Sequence, residues 1–541
     1  MTLPPNVSRG DFDRALKEFQ AAVSSDWVFS RDEDLALYND AYTPFAVEPS
    51  RQLLASAAIA PESVEQVQQV VRTANKYRIP LYAISTGRNL GYGGSAPTFS
   101  GSVVVDLKRM NRVLEVNEHD AYVVVEPGVN FLELYRHFEE RRLPFMVSTP
   151  EPGWGSPVGN ALDHGVSYVM GDNFAAARGM EVVLPNGELL RTGMGALPQP
   201  RAWHNFPYGF GPHLSGLFSQ SNFGIVTKMG FSLVRKPEMQ ASFSVRSMRS
   251  EDLYPLVATV QAMREDGLLS LSSAESPIRS PMGPPGQPMP AWMQRSLALL
   301  SRRDGGAHAD WDQLGRDSGI AVSAVTGDVR GPARIVEATL EYARERFSSI
   351  PGATFYLDPV HRSPLNVDDI PPDQRPKYGV PSLWPFSNLA LGDARRGMYF
   401  FSPVCRASAE DLFALRQTIR EVVLDHAEEA MRPPFLGWIL ANTVYPKAYI
   451  TAYAFPITDN AEVNRKSREL FSRLIEACGA KGWGEYRAHA GFQTEVMNQF
   501  SYNDHILRRV CETVKDALDP NGILAPGKSG IWPKSNRKGR A

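Results

Sequence analysis

A glycine-rich stretch, Ile84–Ser95, constrains the fold of this chain more than any other part of its sequence. It reads Ile-Ser-Thr-Gly-Arg-Asn-Leu-Gly-Tyr-Gly-Gly-Ser and follows the apolar run Leu81–Ile84. Glycine allows positive φ angles and lets backbone N–H groups approach a ligand closely, so this stretch can form a cradle for an anion such as a pyrophosphate. Its spacing matches neither of the two standard phosphate-binding glycine motifs, and it also contains Tyr92. A glycine-rich surface turn is the alternative interpretation.

Length, charge and cysteine usage bound the class of protein. The chain has 541 residues, enough for two or three domains with large cores. Its net charge of −2 gives no indication of a nucleic acid or an anionic membrane as partner. Cys405, Cys478 and Cys511 form neither a disulfide framework nor a metal-binding pattern, which favours a reducing compartment. Because the sequence shows no signal-peptide pattern and no apolar run near the about 20 residues of a membrane span, we expect a soluble cytoplasmic protein.

Helical and strand-like patterns alternate through the first part of the chain. Apolar residues at helical spacing follow Ser8, whose hydroxyl is suited to cap a helix. The tripeptide Pro185–Gly187 between two apolar runs predicts a hairpin. The predicted helices are 11–23, 62–77 and 131–141, and the predicted strands are 81–84, 103–106 and 121–125. This alternation is typical of an α+β nucleotide-binding domain.

The composition changes in the second part of the chain. Residues 276–290 are rich in proline, glycine and methionine, which predicts an extended loop or linker. The elements predicted beyond it are helices at 333–346, 409–426 and 503–517 and strands at 399–401 and 449–455. They indicate a second α+β domain.

Six motifs follow one another in a recognisable order. They are the glycine cradle at 87–94, Val125-Glu126-Pro127-Gly128, Gly159-Asn160-Ala161, Ser221–Thr227, Gly482–Arg487 and Asp519–Trp532. With these motifs the chain resembles the vanillyl-alcohol oxidase branch of FAD-dependent oxidases and dehydrogenases, which also includes eugenol oxidase and the flavoprotein of 4-cresol methylhydroxylase. The resemblance implies an α+β, two-domain FAD-binding fold. In this fold a discontinuous FAD-binding domain (residues 1–236 and 488–541) encloses an α/β cap or substrate domain (residues 237–487).

The resemblance also implies which residues bind FAD. The glycine cradle would wrap the pyrophosphate, two further segments would line other parts of the cofactor, and Lys528 would lie near the flavin. The residues concerned are Ser85 and Thr86 directly before the cradle, Gly87, Arg88, Asn89, Leu90, Gly91 and Gly93 within it, and Gly159, Asn160, Ser221, Gly224, Ile225 and Val226 in the other segments. No metal is implied.

The expected flavin linkage departs from the family pattern. Many members attach FAD covalently through a histidine just before a Phe-Phe-Ser-Pro strand or through a tyrosine several residues upstream. Here Met398 stands at the histidine's place, and no histidine lies between His361 and His426. We therefore expect non-covalent FAD. Tyr399, one residue out of register, is the alternative attachment point.

The resemblance assigns five residues to the reaction itself. Tyr92, Tyr486 and Arg487 would surround the oxygen of a phenolic substrate, where a cation and two hydroxyl donors favour the phenolate. Tyr168 matches a further pocket tyrosine, and Glu151 stands where the family has an aspartate near flavin N5, suited to accept a proton. The structural alternatives are a turn residue for Tyr92 and a strand edge for Tyr486 and Arg487. For Tyr168 and Glu151 they are a core aromatic and a solvent-exposed loop glutamate.

The shape of the substrate pocket is not implied, because the stretches 384–396 and 430–435 match the family poorly. Ordinary core packing is the favoured interpretation for four nearby large side chains, and lining a pocket of different shape is the alternative. These side chains are Trp154, Met170, Trp384 and Phe386.

The resemblance therefore predicts FAD-dependent oxidation of para-substituted phenols, including lignin-derived alkyl-, allyl- or hydroxymethyl-phenols. Hydride would pass from the benzylic carbon to flavin N5 through a p-quinone methide. O2 is the expected acceptor, giving H2O2, and a homodimer is expected. The alternatives are a cytochrome-linked 4-alkylphenol dehydrogenase or hydroxylase, a 2-hydroxy acid or lactone oxidase on the same fold, and a non-catalytic flavin-binding protein.

Overall fold

The computed structural model describes residues 2–45, 47–279, 288–384, 397–428, 432, 436, 441–445 and 447–537. The helices are α1 (Arg9–Val23), α2 (Asp32–Leu35), α3 (Val64–Tyr77), α4 (Phe131–Glu140), α5 (Pro157–Leu162), α6 (Leu253–Glu265), α7 (Ala291–Leu300), α8 (His308–Ser318), α9 (Ala333–Ser348), α10 (Ala409–His426), α11 (Ala461–Ala480), α12 (Gln493–Gln499) and α13 (Tyr502–Leu518). The strands are β1 (Val28–Phe29), β2 (Ala57–Ile59), β3 (Leu81–Ile84), β4 (Val103–Asp106), β5 (Val113–Asn117), β6 (Tyr122–Val125), β7 (Phe145–Met146), β8 (Val166–Ser167), β9 (Gly171–Asp172), β10 (Ala177–Val183), β11 (Leu189–Arg191), β12 (Ile225–Ser232), β13 (Val234–Arg235), β14 (Met239–Ser247), β15 (Leu271–Glu275), β16 (Ser323–Gly331), β17 (Ala353–Leu357), β18 (His361–Arg362), β19 (Gly397–Phe401), β20 (Val404–Arg406), β21 (Ala441–Tyr445), β22 (Ala448–Thr451) and β23 (Tyr453–Ile457).

Backbone contacts divide the chain into two units, each of which mixes helices with sheets. Unit 1 comprises Met1–Arg235, Arg375–Phe386 and Ala488–Ala541, and unit 2 comprises Lys236–Gln374 and Ser387–Arg487. The mixture confirms the predicted α+β class.

The first sheet of unit 1 carries the glycine cradle. Its strand order is β1-β2-β4-β3, and β4 pairs in parallel with both β2 and β3. Helix α1 begins as predicted after Ser8, whose Oγ accepts the Asp11 N–H at 3.1 Å. Phe12 and Phe19 of α1 share one buried core with Val71 of α3 and with the strands. This core fixes the end of β3, from which the glycine-rich segment departs.

The second sheet of unit 1 is antiparallel, in the order β11-β10-β12-β6-β5. Val183 pairs with Leu189, which confirms the hairpin predicted at 185–187. The core beside this sheet includes Phe131 and Phe138 of α4 together with residues of β6, β10 and β12.

The C-terminal part of unit 1 contains α13, which corresponds to the helix predicted at 503–517. Asn503, Asp504 and His505 have left-handed φ values of 49°, 54° and 55°, so the regular right-handed helix begins after them. Lys515, on the last turn of α13, is fully buried and paired with Asp519 at 2.7 Å.

Unit 2 is built around a sheet in the order β17-β14-β16-β15-β21-β22-β20, with β18 added beside β14. A separate ribbon joins β19 to β23. The prediction of one strand over 449–455 was wrong, because β22 pairs with β20 and β21 whereas β23 pairs with β19. The chain therefore passes from one sheet to the other at Ala452.

Unit 1 includes the segment Arg375–Phe386, which lies within the range 237–487 predicted for the cap. There the Gly153 N–H donates to the Ser382 carbonyl at 3.0 Å, and the Val147 N–H donates to the Gly379 carbonyl at 3.4 Å. The assignment of unit 1 to FAD binding and of unit 2 to the cap stays a prediction.

Over the described ranges, no helix combines the length and apolar character that a membrane crossing requires. Nor do the described histidine, cysteine, aspartate and glutamate side chains form a group of three or more that could hold a metal ion. Residues 280–287 of the predicted linker, Phe386, and residues 430, 431 and 433–435 of the extra stretch lie outside the described residues.

Candidate active site

The glycine cradle has a backbone that requires glycine. Gly87, Gly91 and Gly93 have φ angles of 66°, 81° and 121°, all in the left-handed region. A Cβ on Gly87 would lie 2.2 Å from the Ser95 Oγ, which donates to the Gly87 carbonyl at 3.1 Å. The loop folds back on itself, since the Tyr92 N–H donates to the Asn89 carbonyl at 3.1 Å. These features favour the cradle over a simple surface turn.

Two of the predicted cofactor segments meet in unit 1. A Cβ on Gly159 would lie 2.3 Å from the Ser85 Oγ, so the start of α5 lies directly against the start of the cradle. Asn160 is held by Asn173, whose Nδ2 donates to the Asn160 Oδ1 at 2.7 Å. The structure therefore brings Ser85, Gly159 and Asn160 together.

The Ser221–Val226 segment contains a residue that the sequence analysis left without a role. Asn222 donates from its Nδ2 to the carbonyls of Ala525 and Ile531, both at 3.0 Å. Its Oδ1 is buried and has no hydrogen-bond partner among the described residues. Such an acceptor suits an N–H or O–H donor on a bound ligand. Ile225 and Val226 lie in β12, so the segment is fixed by the sheet.

Lys528 is connected to the cradle through an acidic residue that sequence reasoning missed. Its Nζ lies 3.1 Å from the Asp163 Oδ1, and the Asn89 Nδ2 donates to the Asp163 Oδ2 at 3.4 Å. Asp163 thus joins a predicted flavin-proximal cation to the cradle. The left-handed glycines, the Ser85–Gly159 contact and the buried Asn222 acceptor together fit FAD.

The backbone of Tyr92 is hydrogen-bonded to the segment that follows Arg487 in sequence. The Ala490 N–H donates to the Tyr92 carbonyl at 3.2 Å. His489 Nδ1 accepts the Gly491 N–H at 3.0 Å, so its Nε2 carries the hydrogen and donates to the Asp40 Oδ2 at 2.7 Å. Both side chains are buried. No sequence pattern connects Asp40 with His489, and both were missed.

Glu151 and Tyr168 form a hydrogen-bonded pair in unit 1. The Tyr168 hydroxyl donates to the Glu151 Oε1 at 2.5 Å. The Tyr168 N–H also donates to the Thr149 carbonyl at 3.1 Å, which fixes the tyrosine on the loop that carries the glutamate. Glu151 is exposed, as a loop glutamate would be, but its carboxylate has a defined partner.

The interpretation of Trp154 and Trp384 as core residues was wrong. They are 42% and 39% exposed. The Arg88 guanidinium carbon lies 5.6 Å from the centre of the Trp154 ring, which places this indole beside the glycine cradle. Met170 does pack partly against the apolar core.

In unit 2, the segment Gly484–Tyr486 runs along Ser402–Val404. The Val404 N–H donates to the Gly484 carbonyl at 2.9 Å, and the Tyr486 N–H donates to the Ser402 carbonyl at 3.1 Å. The Arg487 Nη1 lies 3.5 Å from the Tyr486 hydroxyl. Adjacent residues thus present a phenol and a guanidinium side by side.

Glu485 lies between Gly484 and Tyr486, and the sequence analysis did not predict a role for it. Its Oε1 accepts the Ser402 N–H at 2.6 Å, whereas its Oε2 is buried without a hydrogen-bond partner among the described residues. Burial raises the pKa of the Glu485 carboxyl well above its ordinary value. Burial therefore favours the neutral form of this carboxyl, and its hydrogen bond from the Ser402 N–H anchors the segment that carries Tyr486 and Arg487.

The two residues considered for the flavin linkage, Met398 and Tyr399, are neighbours on strand β19 and differ in burial. Buried residues alternate along it: Tyr399 and Phe401 are buried, whereas Met398 is only half-buried. The Tyr399 ring centre lies 5.2 Å from both Phe455 and Phe471, inside the core of unit 2. Met398 and Tyr399 thus point to opposite faces.

Comparisons with known proteins agree with these features. A family model described as an FAD binding domain matches residues 55–193. The flavoprotein subunit of 4-cresol dehydrogenase (hydroxylating) from Pseudomonas putida is 31% identical over 542 residues, covering 98% of this chain and 97% of that protein. The structure of 4-ethylphenol oxidase from Gulosibacter chungangensis, in complex with isoeugenol, has a TM-score of 0.82 and 34% identity, covering 99% of this chain and 100% of the other. That of p-cresol methylhydroxylase with substrate bound has a TM-score of 0.82 and 28% identity, covering 98% and 99%.

The FAD-binding match includes both the glycine cradle and the Gly159–Asn160 segment. The match to the 4-cresol dehydrogenase subunit extends over nearly the whole of both chains. The chain therefore belongs to the vanillyl-alcohol oxidase and 4-cresol methylhydroxylase family of FAD-dependent oxidoreductases.

Proposed function

We propose that this protein oxidises para-substituted phenols at the benzylic carbon in an FAD-dependent reaction. The observation that carries the proposal is the Tyr486–Arg487 pair, in which a hydroxyl and a guanidinium lie 3.5 Å apart at the end of a backbone ladder. Relatives named for 4-cresol and 4-ethylphenol match along nearly the full chain, which supports a phenolic substrate.

Tyr92, Tyr486 and Arg487 are proposed to bind the substrate oxygen as a phenolate. A free phenol has a pKa of about 10, so ionising it near pH 7 requires about 4 kcal/mol. A hydrogen bond to a charged group contributes about 1.5–3 kcal/mol, and the two tyrosine hydroxyls add two such bonds to the one from arginine. The three donors therefore match the size of the required effect.

Bound FAD supplies the hydride acceptor. From the phenolate, electrons move from the ring oxygen toward the para carbon as the benzylic C–H bond breaks, which leaves a p-quinone methide. Glu151 is proposed to accept the proton of the water that adds to the benzylic carbon, which gives a benzylic alcohol and returns the ring oxygen to a phenolate. The Tyr168 hydroxyl, 2.5 Å away, orients the Glu151 carboxylate for this role.

Several finer features belong to the same proposal. Non-covalent FAD is supported by Met398, whose thioether replaces the linking histidine, and by the burial of Tyr399 in the core. A yellow supernatant after acid precipitation would support this linkage, and a yellow pellet would contradict it. We further propose lignin-derived phenols as substrates, O2 as electron acceptor with H2O2 as product, a homodimer, and a cytoplasmic location. The likeness to a protein named as an oxidase supports the choice of O2.

The test compares Arg487→Met with the wild type in anaerobic mixing with 4-ethylphenol. We expect the rate of flavin reduction to fall by about 10²–10³-fold or more, as when one donor to a developing anion is removed, while FAD stays bound. Arg473→Met is the control, since Arg473 is exposed on α11. Unchanged reduction in Arg487→Met would contradict the assignment.

The same assay separates the alternative functions. Flavin reduction by 4-ethylphenol followed by O2 consumption supports the proposal. Reduction by D-lactate alone would indicate a 2-hydroxy acid oxidase. Reoxidation by cytochrome c but not by O2 would indicate a dehydrogenase. An FAD-bound protein that no substrate reduces would be a binding protein without this activity.

A further inference from the structure

A small cavity lies in unit 1, within the apolar core beside the second sheet. Its volume is about 30 Å³, which is enough for one small molecule. Its wall includes Val123 of β6, Phe131 and Leu134 of α4, and the neighbouring Met146 and Val147. All five side chains are buried. The cavity is therefore a gap between apolar side chains of the core.

The polar side chains in the wall are already engaged with protein groups. The Ser148 Oγ lies 2.7 Å from the Ser167 Oγ and accepts the Met170 N–H at 3.1 Å. The Asn173 Nδ2 donates to the Asn160 Oδ1 at 2.7 Å. A buried water needs about two to four polar partners, whereas apolar cavities stay dry. The lining thus favours an apolar occupant over water.

One part of the wall adjoins the candidate active site. Asn173 holds Asn160, and the residue before Asn160 lies against the start of the glycine cradle. Ser148 is followed by Thr149, whose carbonyl accepts the Tyr168 N–H at 3.1 Å. Both the segment expected to line FAD and the loop that carries the proposed proton acceptor are therefore next to the cavity wall.

Another part of the wall lies near solvent. Ser232, Leu233 and Val234 line the cavity and are each partly exposed. They connect the end of β12 with β13, where Val234 pairs with Met146. A small molecule in the cavity would thus lie between a partly exposed edge of unit 1 and the residues around Asn160.

We propose that this cavity binds O2 and lies on the route by which O2 reaches FAD. O2 is small and apolar, and dry apolar cavities take up gases such as xenon. In the reoxidation, O2 takes two electrons and two protons from reduced FAD and leaves as H2O2. The inference rests on one part of the proposed function, the use of O2 as electron acceptor. It does not depend on the phenolic substrate.

Crystals of the FAD-loaded protein under xenon pressure test the cavity directly, because xenon is an apolar probe that can be located. We expect a xenon atom in the cavity of the wild type. Val123→Ile adds one methylene to the wall and should exclude xenon. The same substitution in the core beside the first sheet, Val105→Ile, is the control and should leave the xenon in place. An empty cavity in the wild type would overturn the proposal, as would unchanged xenon in Val123→Ile.

Overpacking a core can reduce stability, so Tm and FAD content are compared for both variants. If Val123→Ile does not load FAD, Ala176→Val adds volume at another part of the wall and takes its place.

Reoxidation kinetics test the role of the site. FAD is reduced photochemically without any phenol, and the protein is then mixed with O2. The rate constant for reoxidation should fall severalfold in Val123→Ile but not in Val105→Ile, while the rate of reduction by 4-ethylphenol stays unchanged in both.

The outcomes separate this inference from the proposed function. Equal reoxidation of the wild type and Val123→Ile would overturn the oxygen route and leave the phenol oxidation standing. A wild type that O2 does not reoxidise would overturn both the oxygen route and the choice of acceptor. Failure of 4-ethylphenol to reduce the flavin would contradict only the phenol proposal.

Discussion

Lys515 in unit 1 and Glu485 in unit 2 are both ionisable groups removed from water, but their surroundings differ. The Lys515 Nζ has three acceptors: Asp519 at 2.7 Å, the Asn222 carbonyl at 2.8 Å and the Leu524 carbonyl at 2.6 Å. These match its three N–H donors. Asp519 in turn accepts the N–H groups of Ile523 and Leu524 at 3.0 and 2.8 Å.

Glu485 has one donor where Asp519 has three. Only the Ser402 N–H reaches its carboxyl among the described residues, and burial raises its pKa. One hydrogen bond does not replace the hydration of a carboxylate, whereas three donors including an ammonium do. The comparison indicates that the number of hydrogen-bonding partners distinguishes a buried ion pair whose groups are all satisfied from a carboxyl whose pKa is raised by burial.

The largest loss of stability is expected from removing Lys515, whose three N–H donors all have acceptors. Lys515→Met leaves the Asp519 carboxylate buried without its cation, and we expect the free energy of unfolding to fall by about 3–5 kcal/mol. Urea denaturation followed by fluorescence measures this loss. Lys534→Met, at an exposed position in the same unit, should change it by less than about 0.5 kcal/mol. Equal effects of the two variants would mean that the buried pair is not a stabilising contact.

A smaller loss is expected at Asp40, whose two oxygens accept from the Tyr42 N–H at 2.9 Å and from His489 at 2.7 Å. Asp40→Asn turns one acceptor into a donor that faces another donor, which should cost about 1–3 kcal/mol. Asp40 holds His489, and the next residue, Ala490, donates its N–H to the Tyr92 carbonyl. Because Asp40→Asn should therefore displace Tyr92, we expect kcat/KM for 4-ethylphenol to fall while FAD stays bound. Asp32→Asn, at an exposed position, is the control, and unchanged kinetics in Asp40→Asn would refute the positioning role.

The sequence predicted elements whose signals are local. Helix α10 was predicted and observed at 409–426, since its apolar spacing lies within the segment itself. The passage from β22 to β23 was not predicted, because a change of partner strand depends on residues far away in sequence. Local sequence patterns do not indicate which distant strands pair with each other.

The candidate site shows the same limit. The cradle could be located from its glycines, and the Tyr486–Arg487 pair from its motif. The residues that hold them, Asp40 and Asp163, were not predicted, because their partners lie 449 and 365 residues away. An isolated aspartate in a loop has no spacing that distinguishes it from a solvated one.

The smallest expected effect tests whether the Glu485 carboxyl is neutral in the folded protein. Between the unfolded-state pKa of about 4.3 and the raised folded pKa, the unfolded chain releases the Glu485 proton and the folded protein keeps it, so wild-type stability falls as pH rises. Glu485→Gln is neutral at every pH and can keep the Ser402 hydrogen bond. The Tm of the variant minus that of the wild type should therefore increase from about pH 4 to pH 8, with a gain below about 1 kcal/mol at pH 7, because the amide still lacks a second partner. Glu410→Gln, at an exposed position, should give a flat difference. If the Tm difference for Glu485→Gln is also independent of pH, Glu485 is ionised in the folded protein. The contrast with Asp519 would then rest only on the number of hydrogen bonds.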